Sequence, residues 1–160
     1  MQTEGGGSVP GVAGQGIFVG TFVHSFDGKR RITIPSVWRA QAGRSASFYV
    51  LPDVHEEACL CLFPAEEMLR HIEKLRHHSL ADRRARHFAR VLGSQSELVP
   101  WDTQGRIRIK DDLLAQVGLT DTAALVGVFQ WIEVWSPEKL KMAGATDRTG
   151  LGDAAQYVGF

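Results

Sequence analysis

The chain has 160 residues, with 18 basic and 18 acidic side chains and a hydrophobic content of 44%. This length and apolar content suit one compact domain or two small ones, and the balanced charge excludes any argument for nucleic-acid binding from net charge alone. The apolar runs are too short to span a membrane. Residues 1–4, followed by glycines, have neither the basic start nor the apolar stretch of a signal peptide, so a cytoplasmic protein is expected.

Both ends of the chain are predicted to be flexible. Residues 1–16 are rich in glycine and poor in bulky apolar side chains, so burial cannot offset the entropy of ordering them. Residues 143–160 are also predicted to be a tail. Order is expected to begin near Ile17, in an apolar segment rich in Phe and Val that is typical of a strand.

A polar turn followed by a short strand occupies residues 27–35, with the sequence DGKRRITIP. The alternation along the strand sends Ile32 and Ile34 to one face. It sends Arg31 and Thr33 to the other face, in phase with the lysine of the turn. This segment is therefore predicted to bury its isoleucines and expose its basic side chains.

The same pattern recurs 75 positions later, in residues 102–110, with the sequence DTQGRIRIK. Seven of the 17 positions in residues 27–43 are identical at this offset, whereas random pairing gives about one. The chain therefore contains an internal duplication, in which Asp27 and Asp102 are equivalent. Each aspartate is predicted to bond turn amides and to stabilise the chain reversal.

After each turn strand, the pattern predicts a short helix and then two further strands. Pro35 opens the first helix and Gly43 closes it, while Asp111 and Gly118 bound the second one. The predicted strands that follow are residues 47–51 and 58–63 in the first repeat, and 123–129 and 131–135 in the second.

Two repeats, residues 17–66 and 96–140, follow from this pattern. A unit of that size buries too little surface to be secure alone. We therefore expect the two to pack their apolar faces together, each closing the other's open strand edge. The predicted fold is α+β and mainly β, a barrel-like body with an internal pseudo-two-fold axis.

Residues 67–93 between the repeats are predicted to form a helical hairpin. Ser79, with Asp82 three residues later, resembles a capping box for a second helix that Gly93 ends. Residues 70–90 carry seven Lys or Arg side chains against two acidic ones. This basic face either contacts phosphates or is simply solvated, as the polar side of an amphipathic helix usually is.

Catalytic and metal-binding patterns are weak. Cys59 and Cys61 alternate on an apolar strand, which places both on one face and excludes an ordinary disulfide. With no further cysteines to complete a zinc set, they are interpreted as small core residues, and the histidines lack one-turn spacing. No phosphate loop, serine elbow or zincin motif occurs, so we expect no enzyme, cofactor or metal.

The first turn is far more basic than the second. Residues 27–44 hold five basic side chains against one acidic one, whereas residues 102–119 hold three of each. Basic groups crowded at an exposed turn repel each other and suggest an anionic partner such as a DNA phosphate or a guanine edge. The predicted DNA-binding residues are Lys29, Arg30, Arg31 and Thr33. The residues predicted to serve the turn structure or subunit contacts are Asp27, Asp102, Gly105 and Arg106.

The duplicated turn resembles the D-x-K-G-R and D-x-x-G-R motifs of the MraZ family, bacterial regulators built from two SpoVT/AbrB-like repeats. Residues 18–20, FVG, resemble the opening F-R-G of that family, and the similarity covers about residues 17–140. Val19 replaces the arginine of F-R-G, and Arg30 replaces the motif glycine. If that glycine requires a positive φ, either Arg30 strains the turn or Gly28 takes over its role.

The resemblance implies a double swapped-hairpin fold, ring-shaped homo-oligomers and binding to short tandem repeats in the promoter of the division and cell-wall gene cluster. The DNA contacts of the family carry over onto Lys29 and Arg31. A sequence-specific transcriptional regulator at the nucleoid is therefore expected. The alternative is a non-catalytic assembly or protein-interaction module that has kept the fold and lost tight DNA binding.

Overall fold

The structure is a computed structural model that describes residues 17–42, 46–55 and 58–160. The tail predicted at residues 1–16 and the helix end predicted at Gly43 lie outside these residues. The elements in chain order are β1 (Thr21–Ser25), β2 (Ile32–Thr33), α1 (Ser36–Gln41), β3 (Ser47–Pro52), β4 (Cys59–Pro64), α2 (Ala65–Arg76), α3 (Arg83–Gln95), β5 (Glu97–Pro100), β6 (Arg106–Ile107), α4 (Asp111–Gln116), β7 (Thr122–Gly127), β8 (Ile132–Trp135), α5 (Pro137–Ala143) and α6 (Leu151–Val158).

A six-stranded antiparallel sheet with the strand order β1-β7-β8-β4-β3-β5 forms the body of the protein. The first strand of each repeat pairs with the hairpin of the other: Phe22 of β1 lies opposite Leu125 of β7, and Leu98 of β5 lies opposite Tyr49 of β3. Strands β2 and β6 form a separate antiparallel pair. Of the predicted fold, α+β and mainly β, the structure confirms a combination of helices with a mainly antiparallel sheet.

The main core lies on one face of this sheet and extends to both turn strands. Ile32, Ile34, Ile107 and Ile109 are each at most 1% exposed, and they pack in the same cluster as Leu60 and Leu62 of β4. Burying an aliphatic side chain of this size contributes about 1.5–3 kcal/mol. The alternation read from the sequence therefore fixes which face of each turn strand enters the core.

The opposite face of the sheet is covered in two places. Helices α2 and α3 bring Met68 and Leu92 against a cluster that contains Cys61. Helix α5 brings Leu140 against a second cluster that contains Cys59. Because both of its faces are covered, every residue of β4 is buried.

Helix α3 begins and ends at residues other than those predicted. The Asp82 carboxylate accepts hydrogen bonds from the amides of Arg84 and Ala85, at 2.9 and 3.1 Å, so Asp82 is the N-cap. The Ser79 hydroxyl accepts from the Ala81 amide in the preceding turn, so the capping-box prediction was wrong. The predicted end at Gly93 was also wrong, because the helix continues to Gln95.

The segment 143–160, predicted as a tail, contains helix α6. Gly150 and Gly159 flank this helix, and both have left-handed backbone angles. Most of its side chains are exposed. The flexibility of the segment stays a prediction.

No helix in the described part of the chain has both the length and the apolar character needed to cross a membrane.

Candidate functional site

The first turn is held by three hydrogen bonds to one carboxylate. Asp27 Oδ1 accepts from the backbone amides of Lys29 and Arg31 at 2.9 and 2.8 Å. Asp27 Oδ2 accepts from Arg31 Nε at 2.7 Å. The amide of Arg30 donates to the Asp27 carbonyl at 2.9 Å and closes the turn. The carboxylate therefore fixes the backbone of the turn and the direction of the Arg31 side chain together.

The second turn repeats this arrangement bond for bond. Asp102 Oδ1 accepts from the amides of Gln104 and Arg106 at 2.9 and 3.0 Å, and Oδ2 accepts from Arg106 Nε at 2.8 Å. The amide of Gly105 donates to the Asp102 carbonyl at 2.9 Å. The duplication detected in the sequence is therefore a duplication of turn geometry.

Strands β2 and β6 place the two turns side by side. Thr33 lies opposite Arg106 in this pair, and the Ile34 amide donates to the Gly105 carbonyl at 2.8 Å. Arg31 Nη1 lies 3.9 Å from Asp102 Oδ2, so the guanidinium of one turn reaches the carboxylate of the other. The result is one compact cluster of two arginines and two aspartates.

Both carboxylates of the cluster titrate below their ordinary range. The amide of Arg31 donates to Asp27 and lowers its pKa, aided by the Arg31 side chain and opposed by desolvation. The amide of Arg106 lowers the pKa of Asp102 in the same way. A folded pKa below the unfolded value of about 3.9 stabilises the fold above that pH. The stabilisation is lost as pH falls through the folded pKa.

We expect Asp27→Asn and Asp102→Asn to flatten the acid limb of the stability profile. An asparagine can still accept the two turn amides, but it has no proton to gain between pH 5 and pH 2. The stability gap between wild type and each variant should therefore narrow as pH falls. Urea denaturation across this range, at constant protein concentration, measures the gap. A gap that is constant with pH would contradict the linkage.

Arg30 occupies the left-handed position of the first turn. Its φ is 60°, and the equivalent Gly105 has a φ of 77°. Gly28 does not take over this role, because its φ lies outside the left-handed range. A non-glycine residue in this conformation costs about 1–2 kcal/mol. Arg30 therefore adopts the backbone of the motif glycine instead of changing the shape of the turn.

The side chain of Arg30 reaches across to the second repeat. Arg30 Nε lies 3.2 Å from Asp111 Oδ1, and Nη1 donates to the Thr120 carbonyl at 3.4 Å. The guanidinium carbon also lies 5.7 Å from the ring centroid of Phe26. Arg30 thus links its own turn to the start of α4.

Gly105 packs against the Arg39 side chain. A Cβ atom at this position would overlap the guanidinium and Cδ of Arg39. Since Arg39 belongs to helix α1, the first repeat covers the turn of the second. Gly105 is buried for the same reason.

Gly105→Ala should lower the free energy of unfolding by about 1–2 kcal/mol, since alanine is strained in the left-handed backbone, while the flexible Arg39 side chain can move away from the added Cβ. Gly28→Ala is the matched control, because nothing lies within 4 Å of a Cβ there. We expect the control to change stability by less than about 0.5 kcal/mol. Urea denaturation measures both variants, and equal stability of the two would contradict the prediction.

Lys29 differs from the other basic residues of the first turn. It is exposed, and among the described residues its ammonium group has no ion-pair partner. In contrast, the side chains of Arg31 and Arg106 are each 27% exposed and are paired with an aspartate. Gln104 is the neutral equivalent of Lys29 in the second turn. Within the described part of the chain, the first turn therefore carries one unpaired positive charge, on Lys29, that the second turn lacks.

Asp111 pairs with Arg30 and Arg108, and among the described residues it forms no ion pair with Arg106. Its Oδ1 lies 3.2 Å from Arg30 Nε and 3.0 Å from Arg108 Nη2. The contacts of Arg30 with Asp111 and Thr120 escaped the sequence analysis because these residues lie 81 and 90 positions away. The pairing of β1 with β7 brings these residues together.

Comparison with known proteins identifies relatives that match about three quarters of the chain. A family model described as "MraZ protein, putative antitoxin-like" matches residues 17–91. A transcriptional regulator MraZ from Thermomicrobium roseum is 35% identical over 122 residues, which cover 76% of this chain and 83% of the relative. Those from Finegoldia magna and Kocuria rhizophila are 33% and 34% identical, covering 77% and 74% of this chain and 83% and 80% of the relatives.

Proposed function

Because the chain belongs to the MraZ family, we propose that it is a sequence-specific DNA-binding transcriptional regulator that acts on short tandem repeats in a promoter. The promoter expected from the family is that of the division and cell-wall gene cluster. The protein would then act in the cytoplasm, at the nucleoid. The relatives are named as regulators, and we propose no catalytic activity for this chain.

The observation that carries this proposal is the pair of aspartate-pinned turns held side by side by β2 and β6. A turn whose backbone and arginine are fixed in advance loses little entropy when it binds. Guanidinium and ammonium groups bind phosphates, and a guanidinium can also read guanine in the major groove. Lys29, Arg31 and Thr33 are therefore assigned to DNA contact. Arg30 belongs to the same set, although DNA must compete with Asp111 for it.

We also propose that the fold is a tandem SpoVT/AbrB-like, double swapped-hairpin barrel. The strand order supports it. Strands β1, β3 and β4 are equivalent to β5, β7 and β8, and exchanging each strand for its equivalent gives the same order read from the opposite edge of the sheet. In this assignment, residues 17–66 and 96–140 are the repeats and residues 67–93 connect them. Asp27, Asp102, Gly105 and Arg106 maintain the turns or contact neighbouring subunits.

A gel shift with the full chain tests the proposed function. The probe is DNA from immediately upstream of the chain's own gene, and the control is a shuffled sequence of equal length and composition. Specific operators are typically bound about 10³- to 10⁷-fold more tightly than non-specific DNA. Equal affinity for both probes at physiological salt would contradict sequence-specific regulation by this promoter.

We expect the protein to be a ring-shaped homo-oligomer. One pair of turns offers few DNA contacts, and joining several in one body raises avidity by about 10²- to 10⁴-fold when their spacing matches the DNA repeats. Light scattering after size exclusion measures the mass at micromolar concentration. A clean monomer would remove the basis for recognition of tandem repeats.

One specific observation favours the assembly-module alternative. The guanidinium groups of the first turn are already paired, Arg31 with Asp27 and Arg30 with Asp111. Of the described basic side chains in that turn, only Lys29 is left without an acidic partner. Under this alternative the protein forms the oligomer but shifts neither DNA probe.

A further inference from the structure

Two cysteines and a glutamate meet on the sheet face that lies opposite the main core. Cys59 and Cys61 share this face of β4, because they are two residues apart on a strand. Strand β8 runs antiparallel beside it, with Glu133 directly opposite Cys61 and Trp135 opposite Cys59. The two Sγ atoms and one Glu133 carboxylate oxygen all lie within 4.8 Å of one another.

We propose that Cys59, Cys61 and Glu133 form a binding site for a thiophilic divalent cation such as Zn²⁺. In a tetrahedral zinc site, sulfur ligands at about 2.3 Å and oxygen ligands at about 2.0–2.2 Å stand roughly 3.5–3.8 Å apart. The observed group reaches that spacing through small side-chain rotations. A water molecule completes the fourth position.

The surroundings orient the carboxylate toward the thiols. Trp135 Nε1 donates to Glu133 Oε1 at 3.0 Å, which restricts rotation of the carboxylate. Such outer hydrogen bonds orient ligands in known metal sites. Within the described part of the chain, Glu133 forms no ion pair. A carboxylate held beside two buried thiols without a cation is not explained by apolar packing, since it is partly desolvated there.

A cation can reach the site from the helical-hairpin side. Cys61 lines a cavity of about 460 Å³ beneath α2 and α3, together with Asp53 and His71. Cys61 Sγ donates to Asp53 Oδ1 at 3.7 Å. Cys59 lies deeper, in the apolar cluster covered by α5. The cavity therefore gives access to the site on its Cys61 side.

Binding must release two protons. Each thiol gives its proton to solvent and becomes a thiolate, while Glu133 is already a carboxylate. Two thiolates, one carboxylate and Zn²⁺ leave one net negative charge at the site. The cation would then join β4 to β8, which pair at the centre of the six-stranded sheet. Zinc binding should therefore stabilise the folded chain.

Cobalt substitution tests the site directly. The full chain is stripped with chelator under reducing conditions and titrated with Co²⁺, and the sulfur-to-cobalt charge-transfer absorption is recorded. We expect this absorption to saturate at one Co²⁺ per chain and to be abolished by added Zn²⁺. Zinc should also raise the midpoint of thermal unfolding, whereas Mg²⁺ should not.

Matched variants identify the ligands. Glu133→Gln keeps the size of the side chain and an oxygen that can accept from Trp135, and it should weaken Co²⁺ binding by at least about tenfold. Cys61→Ser should abolish the charge-transfer band. His71→Gln, on the cavity wall, should leave binding unchanged. Circular dichroism and light scattering establish that each variant is folded, and Glu133→Gln decides the question if Cys61→Ser does not fold.

Two results would overturn the proposal. The first is a folded, reduced wild-type chain that gives no charge-transfer band at saturating Co²⁺. The second is binding that persists in Cys61→Ser and Glu133→Gln but is lost in His71→Gln, which would place the cation at His71.

Discussion

Raising the salt concentration from 50 to 200 mM should lower the affinity of the assembled protein for its DNA by about 10³- to 10⁵-fold, provided that about 6 to 10 phosphates are neutralised. Each phosphate contact releases condensed cations from the DNA, and added salt opposes that release. The chain has no net charge, so this response has to come from local basic groups such as those of the first turn and not from a general attraction. Gel shifts or fluorescence anisotropy at four salt concentrations give the slope.

Lys29 offers the sharpest control for this experiment. Lys29→Gln gives the first turn the residue found at Gln104, and it removes a side chain with no ion-pair partner among the described residues. Folding and assembly should be unchanged. The slope of log affinity against log salt should become shallower by about one for each turn that contacts a phosphate. A wild-type slope near zero would support the assembly module instead.

The sequence predicts the parts of this fold that depend on local pattern. Alternation identified Ile32, Ile34, Ile107 and Ile109 as residues of one face, and all four are buried in the core. The duplication indicated that the two turns are equivalent, and the motifs identified the MraZ family, which the comparisons confirm. Each of these inferences needs only residues close together in the chain or a fixed offset between copies.

The remaining features depend on contacts between distant segments. The sequence left open whether Arg30 or Gly28 takes the left-handed position, because turn chemistry alone permits both. In the structure Arg30 takes this position, and its side chain contacts Asp111 and Thr120 of the second repeat. The pairing of β1 with β7 brings these distant residues together. Two cysteines alone did not predict a metal site. The pairing register of β4 with β8 places Glu133 beside the two cysteines, and the sequence alone does not give this register.

The ends of helix α3 also show where local sequence pattern stops being sufficient for prediction. Ser79 and Asp82 both have side chains suited to capping, and the sequence does not decide which one stands at the start of α3. The backbone bends so that Asp82 receives the two free amides. At the other end, the helix continues past Gly93 to Gln95, and the hydroxyl groups of Ser94 and Ser96 donate to the carbonyls of Val91 and Leu92.

Arg31→Ala should remove most of the DNA affinity, whereas Arg106→Ala should remove less. The two residues form a matched pair, because each Nε donates to an aspartate, at 2.7 and 2.8 Å, and each side chain is 27% exposed. Pairs as exposed as these contribute about 0.2–1 kcal/mol. Of these two arginines, the sequence predicts a structural role for Arg106 alone. Given the shared contact, we expect similar small losses of stability from both variants.

The difference in DNA binding should come from the neighbours of each arginine. Arg31 lies beside Lys29 and Arg30, while Arg106 lies beside Gln104 and Gly105. A lost charged contact costs about 1–3 kcal/mol, and the loss is multiplied over the subunits that engage one DNA molecule. Arg31→Lys keeps the charge without the planar guanidinium, so it separates general attraction from directed contact.

The variants are compared by gel shift on the promoter fragment, by urea denaturation and by size-exclusion light scattering. Equal stability and assembly, with a much larger loss of DNA binding in Arg31→Ala, would assign DNA contact to the first turn. If Arg106→Ala stays fully assembled and loses DNA as completely as Arg31→Ala, both turns face the DNA. In that case the unpaired charge of Lys29 changes the affinity for DNA, but it does not decide which of the two turns contacts the DNA.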